Sequence, residues 1–362
     1  MNLKEQNILY FTRTMGLGGT ENIVLQLCEI FSPLVNKIVV CSCGGVNEKR
    51  LSQMGIKHYK ILDIQDKTPY SMLSILKAIR KIIRDERITI IHTHHRMAAF
   101  YISVMGLYKK CKFINTSHNT FKNKKKLTQF AYAKAYLVAC GNVVKKNLAN
   151  DFCIPSKRIQ VIYNAVKPFD GDIVTDKLIE QMHEEGCFVI GNIGRLSEQK
   201  GMKYFIKSIP LILQKYPQAR FVVIGDGEEE EQLKELVTNL KINEYVYFMG
   251  YRQDVQNVMS QLDLVVLSSL WEGLPLTPIE TFSVGKTIVA TAVDGTVEVV
   301  QDNKNGLLVK PRSSKQIAEK ICRIMEEPLT KIKFEQKAKE QYEKKFSFEK
   351  FSESYIEYYM GL

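Results

Sequence analysis

The stretch LDLVVLSSLWEGLPLTPIETFSVGKTIVAT, Leu262–Thr291, decides the fold. It opens on an apolar run that reads as a buried strand and passes through a loop holding two prolines and two carboxylates. It closes on a short helix that leads into a second strand. An apolar run without polar alternation belongs in a parallel sheet covered on both faces. Pro275 and Pro278 pre-set φ and are tolerated where a helix begins, since the N–H that proline lacks has no partner there. The helix is expected to start near Thr277, with its unpaired N–H groups and positive dipole end at the carboxyl edge of the sheet. That edge is where open α/β sheets bind ligands. Glu272 precedes the helix and Glu280 lies about one turn into it, so both can face one cavity. Three uses fit the pair: two solvated glutamates, a hydrolytic acid–base pair, or two acceptors for ligand hydroxyls beside a phosphate-attracting helix end.

Working outward, the same rhythm recurs along the chain. The first half offers NILYFT, KIVVCS, KHYKIL, TIIHTH, KFINTS, AYLVAC and IQVIYN as strands, with helical stretches such as ENIVLQLCEIF and SMLSILKAIRKII between them. The second half restarts with FVIGNIG, ARFVVIG, YVYFMG, LDLVVLSS, KTIVATA and GLLVKP. Strands separated by helices imply right-handed βαβ units and parallel sheets. Between the halves, NAVKPFDGDIVTDKLIEQMHEEG reads as a linker followed by a short helix. The expected domains are 1–167, 168–345 and a terminal helix over 346–362 that packs back on the first domain.

A chain of 362 residues with 45% apolar content fits two domains, each with a proper core. No apolar run is long enough to span a bilayer, and MNLKEQNILYFTRT enters a strand-like run at once without a secretory pattern. The eight cysteines are scattered, with no CxxC pair, so reduced thiols and a cytoplasmic setting are expected. The net charge of +12 is unevenly spread. No Asp or Glu lies between Glu86 and Asp151, a span that carries twelve Lys and Arg. Either this is a solvated basic face, or it meets an anionic partner.

Two glycine-bearing loops follow strands. In GNIGRLSEQKG, Gly191–Gly201, Arg195 and Lys200 sit where two cations can neutralise a diphosphate, or can simply face solvent. The order required for a Walker loop is absent. In MGLGGTEN, Met15–Asn22, Glu21 stands where a dinucleotide fingerprint needs its third glycine, so the fingerprint fails. The glycine turn opening a helix still favours negative charge. His92 and His94 of HTHHR share one strand face, but no third ligand of suitable spacing accompanies them, so they read as structural or acceptor-lining. The DGD at Asp170–Asp172 lies in the linker rather than at a strand end, which argues against a metal-binding DxD.

Taken in order, Gly18-Gly19, His118, Arg195…Lys200, Gly225-Asp226-Gly227 and Glu272-x7-Glu280 resemble glycosyltransferase family 4. NIGRLSEQKG, FVVIGDGEEEEQL and EGLPLTPIE resemble that family's donor-domain signature, and the likeness covers nearly the whole chain. The resemblance implies a GT-B fold: two Rossmann-like, doubly wound α/β domains facing across a cleft, the carboxyl-terminal helix crossing back to the first. It implies a retaining, metal-independent transfer of a hexose or N-acetylhexosamine from a nucleotide-diphosphate donor, with UDP the favoured nucleotide. The acceptor would be a saccharide or a polyprenyl-linked lipid, in bacterial surface-polysaccharide assembly.

By the same resemblance, Arg195 and Lys200 bind the donor diphosphate, Glu272 the sugar hydroxyls and Glu280 the ribose. Gly273, Leu274 and the N–H groups of Leu276 and Thr277 complete the donor loop. Tyr251 and Arg252 line the nucleobase pocket, Gly18 and Gly19 close over the diphosphate, and His118 approaches the transferred sugar. No cofactor is expected. Lys122, Lys124, Lys125 and Lys126, interleaved with aromatics, suit an anionic bilayer at the inner face of the cell membrane; no nucleic-acid motif accompanies them. The alternatives are a nucleotide-sugar epimerase or a phosphorylase on the same fold, and a non-enzymatic binder of anions.

Overall fold

Every apolar run quoted above is a strand in a computed structural model that describes residues 1–169 and 171–362. The chain forms two units. One comprises Met1–Asn164 with Glu349–Leu362, and the other Ala165–Phe348. The division falls between Asn164 and Ala165, where the sequence reading set it at Lys167.

The amino-terminal unit holds seven parallel strands: β1 Asn7–Phe11, β2 Lys37–Ser42, β3 Lys57–Lys60, β4 Ile90–Thr93, β5 Lys112–Ser117, β6 Tyr136–Ala139 and β7 Ile159–Val161. Their order is β3-β2-β1-β4-β5-β6-β7. β1 and β4 are buried at every position, as a sheet with both faces covered requires. Each buried Ile, Leu or Phe there contributes about 1.5–3 kcal/mol of hydrophobic stabilisation. The last helix, Phe348–Met360, belongs mostly to this unit. Its buried residues Phe351, Tyr355 and Tyr359 recur every fourth position, so they form one face. Tyr359 packs on Phe31 with ring centroids 4.3 Å apart.

The carboxyl-terminal unit holds six parallel strands: β8 Phe188–Ile193, β9 Ala219–Ile224, β10 Val246–Gly250, β11 Leu264–Leu267, β12 Ile288–Thr291 and β13 Gly306–Val309. The order is β10-β9-β8-β11-β12-β13. Both orders turn at the unit's first strand, which is the doubly wound Rossmann arrangement. Its helix Pro328–Gln341 runs into a π-helical stretch, Tyr342–Phe346, and then an extended Ser347. That break separates it from the last helix. Among the described residues no helix is long and apolar enough to cross a membrane.

Strand order dictates where a ligand belongs. In each unit the connections leave the first strand on one side and return on the other, opening a crevice at the carboxyl ends of the two middle strands. In the amino-terminal unit those are β1 and β4, followed by the Gly18 loop and by His94. In the carboxyl-terminal unit they are β8 and β11, followed by the Lys200 loop and the Glu272 loop.

Candidate active site

Across the β8–β11 crevice the Lys200 and Glu272 loops are joined by an ion pair, Lys200 Nζ to Glu272 Oε1 at 2.6 Å. Both side chains are largely withdrawn from solvent. Glu272 is held on several sides. Ser269 Oγ donates to Oε1 at 2.7 Å, Gln199 Nε2 reaches Oε2 at 3.5 Å, and the Glu272 N–H donates to Asp294 Oδ2 at 3.0 Å. The two loops are also tied through their backbones. Leu270 N–H donates to the Gln199 carbonyl at 2.7 Å, and Ser268 Oγ to the Lys200 carbonyl at 2.9 Å. Gly201 sits at φ 56°, and a Cβ there would come within 2.6 Å of the Ser268 carbonyl. Only glycine lets the loops meet this closely.

The helix expected near Thr277 spans Leu276–Ser283, with Pro275 at its cap in extended conformation. Its first-turn N–H groups, Leu276 and Thr277 among them, have no partner within the helix and lie directly after the Glu272 loop. Gly273 and Leu274 are buried between. Glu280 keeps part of its surface open to solvent, yet burial pushes its carboxyl up to about 7, against a downward pull from Lys200. One ammonium therefore acts on both glutamates. Arg195 lies exposed in the loop after β8. That loop is propped by the segment after β9, with Leu196 N–H donating to the Asp226 carbonyl at 2.7 Å. A Cβ on Gly225 would meet the Gly194 carbonyl at 2.0 Å, which accounts for the glycines of Gly225-Asp226-Gly227.

In the amino-terminal unit, Gly18 caps helix Gly19–Phe31. The Glu21 carboxylate accepts a hydrogen bond from Thr14 and lies against Gly18, so it braces the turn from the position where a third glycine was missing. Asn47 braces it from outside, its Nδ2 donating to the Gly16 carbonyl at 2.6 Å and its N–H to the Met15 carbonyl at 2.8 Å. His118 follows β5, part-exposed, its Nε2 3.0 Å from Nδ1 of buried His94. Burial pushes His118 down to about 4. His92 packs against His94 with centroids 4.2 Å apart and rings tilted by 34°, as the shared strand face predicts.

Two family descriptions match almost end to end: "Glycosyltransferase Family 4" over 17–168 and "Glycosyl transferases group 1" over 175–343. The chain belongs to the GT-B glycosyltransferases. Its fold matches that of Anabaena HepE solved with UDP-glucose, at TM-score 0.85 and 21% identity, covering 99% of this chain and 100% of that one. An uncharacterized glycosyltransferase of Methanocaldococcus jannaschii is 30% identical over 62% of this chain and 60% of its own length. The Escherichia coli UDP-Gal:alpha-D-GlcNAc-diphosphoundecaprenol alpha-1,3-galactosyltransferase is 26% identical over 72% of each. The chain thus spans less than two thirds of the archaeal relative's length.

Within this glycosyltransferase, the structure gathers Lys200, Glu272, Gly273, Leu274, Leu276, Thr277 and Glu280 around one crevice. Tyr251 is exposed just beyond edge strand β10. Arg252 is committed elsewhere, to Asp176 at 2.7 Å and to Asp254 at 2.8 Å. Asp176 also caps helix Lys177–Glu184, so the guanidinium ties the linker helix to the segment after β10. Lys122, Lys124, Lys125 and Lys126 are all exposed, close to exposed Phe130. Asp170 of the DGD stretch lies outside the described residues. Gln199, Ser269 and Asp294, which hold Glu272, were not foreseen. Single short polar residues in loops carry no periodic signal.

Proposed function

We propose that this glycosyltransferase moves a hexose or N-acetylhexosamine from a UDP-sugar to a saccharide or lipid-linked acceptor, with retention of anomeric configuration and without a metal. The observation that carries the reading is the Lys200–Glu272 pair at the β8–β11 crevice, beside the start of helix Leu276–Ser283. A cation, a carboxylate and a row of first-turn N–H groups at one strand edge match the charges a nucleotide-sugar develops as it breaks. The anomeric carbon becomes positive and the departing diphosphate negative.

Lys200, Arg195 and the helix end stabilise the diphosphate, the role a metal ion fills elsewhere. The Lys200–Glu272 bond is then exchanged on donor binding. Lys200 turns to phosphate, while Glu272 keeps Ser269 and Gln199 and accepts from sugar hydroxyls. Because the two charges neutralise each other before the donor arrives, neither is left buried alone. Glu280 meets the ribose. A donor phosphate oxygen takes the proton from the incoming acceptor hydroxyl, so Glu272 orients the sugar and is not a nucleophile.

The acceptor is proposed from the E. coli relative, whose name specifies a diphosphoundecaprenol-linked sugar. The exposed lysines from Lys122 to Lys126 would hold the amino-terminal unit at an anionic membrane surface during surface-polysaccharide assembly. A thermal-shift screen of UDP-sugars identifies the donor, because a ligand bound only by the folded state raises the melting temperature. Product analysis with donor and acceptor follows. Glu272→Ala and Lys200→Ala are expected to abolish transfer while the chain stays folded. Near-normal turnover in both, or turnover that requires magnesium or manganese, would sink the reading.

A further inference from the structure

Three histidines gather at the ends of β4 and β5, and their ring nitrogens have different fates. His92 is saturated, with Nδ1 2.7 Å from the Tyr359 hydroxyl and Nε2 2.7 Å from the Thr116 hydroxyl. His94 Nδ1 pairs with His118 Nε2, while His94 Nε2 is buried with no hydrogen-bond partner. Burial lowers the pKa of all three rings. The carboxylate that reaches this cluster, Asp63, acts on the neighbouring His95, and none offsets burial at His92, His94 or His118. Each ring is therefore neutral near pH 7 and carries one N–H.

One proton lies between His94 and His118, and it has two possible owners. If His118 Nε2 carries it, His94 accepts through Nδ1, and its own N–H at Nε2 is a buried donor with nothing to bond. If His94 Nδ1 carries it, the buried atom is only an unused lone pair. Orphaned buried N–H groups are rarer than under-used acceptors. We infer that His94 is a positioning residue that donates its Nδ1–H to His118 Nε2, fixing His118 as the Nδ1–H tautomer and leaving that N–H as the group offered to a ligand.

The surroundings keep this arrangement in place. His94 is packed between the rings of His92 and His118, at 4.2 and 5.3 Å, with Tyr10 at 5.9 Å. His92 is locked in turn by Tyr359 and Thr116, so it cannot turn to take up the free nitrogen of His94. For catalysis the consequence rests on the transfer reading. A neutral donor can bond a sugar or phosphate oxygen without placing positive charge beside an anomeric carbon that is itself becoming positive.

Selective ¹⁵N-histidine labelling of the full chain reads the tautomer directly, with His118→Gln assigning the resonance. His118 is expected to carry its proton on Nδ1, and His94 likewise, from pH 6 to 8. A proton on His118 Nε2 overturns the inference whatever the activity. In turnover assays, His94→Phe keeps a ring but removes the donor, and His94→Asn restores an N–H at the place of Nδ1. His94→Phe is expected to lower kcat about tenfold or more with donor KM within about twofold, and His94→Asn to recover most of the loss. Equal losses in both variants, or none in His94→Phe, also overturn it. Should the wild-type chain turn over no nucleotide-sugar while His118 shows the Nδ1–H form, the transfer reading fails and the proton assignment stands.

Discussion

Replacing Glu280 by Gln separates what the carboxylate costs the fold from what it gives the ligand. In the folded chain burial raises this carboxyl from the ordinary 4.5 to about 7. Between those two pH values the folded state holds a proton that the unfolded state has lost. Stability therefore falls as pH rises through that window, and the loss is complete above about 7. At 1.36 kcal/mol per pH unit the gap corresponds to roughly 3 kcal/mol, or about 2 kcal/mol once partial solvent exposure is allowed for. Gln has nearly the same helix propensity and volume but no charge, so it escapes this penalty. Glu280→Gln is expected to melt about 5 °C above wild type at pH 8, and within about a degree of it at pH 5, where the folded wild type is already protonated. Calorimetry at the two pH values measures both. The same variant should show a smaller melting shift with UDP-sugar, because an amide is a weaker acceptor for ribose hydroxyls than a carboxylate. Equal melting differences at pH 5 and pH 8, or a less stable variant at pH 8, would refute the reasoning.

Gly201→Ala forces a Cβ against the Ser268 carbonyl at positive φ; it is expected to cost about 1–3 kcal/mol by urea denaturation and to raise donor KM as the Lys200 loop shifts. Tyr359→Phe leaves His92 Nδ1 buried without its partner, a loss of about 1–3 kcal/mol that a double-mutant cycle with His92→Phe should show as coupled. Changing Lys122, Lys124, Lys125 and Lys126 to Glu is expected to abolish sedimentation with anionic liposomes at low salt, while turnover of a water-soluble acceptor is retained. Equal sedimentation of wild type and variant would remove the membrane proposal.

The strands were legible because parallel sheets covered on both faces need uninterrupted apolar runs, and runs such as LDLVVLSS and TIIHTH stand out from their surroundings. Helix Leu276–Ser283 was legible from its prolines, to within one residue of its start. Partners brought together from distant loops were not. Nothing near Arg252 announces that Asp176, far back in the linker, will claim its guanidinium. Asp294 gives no sign that it will accept the Glu272 N–H. The terminal helix was legible, but the sequence did not show that its Tyr359 reaches a histidine on β4. Local periodicity encodes elements, whereas site geometry depends on which loops strand order brings to one edge.

That the last helix completes the first unit has a consequence for synthesis. Tyr355 and Tyr359 leave the ribosome after all of Ala165–Phe348, so the amino-terminal sheet waits, its His92 Nδ1 without a partner and its Phe31 uncovered by Tyr359, until the helix Phe348–Met360 has been made. The second unit, contiguous in the chain, has no such wait and can fold first. Released chains truncated before Phe351 should therefore carry a protease-resistant carboxyl-terminal unit beside an amino-terminal one that is readily cut.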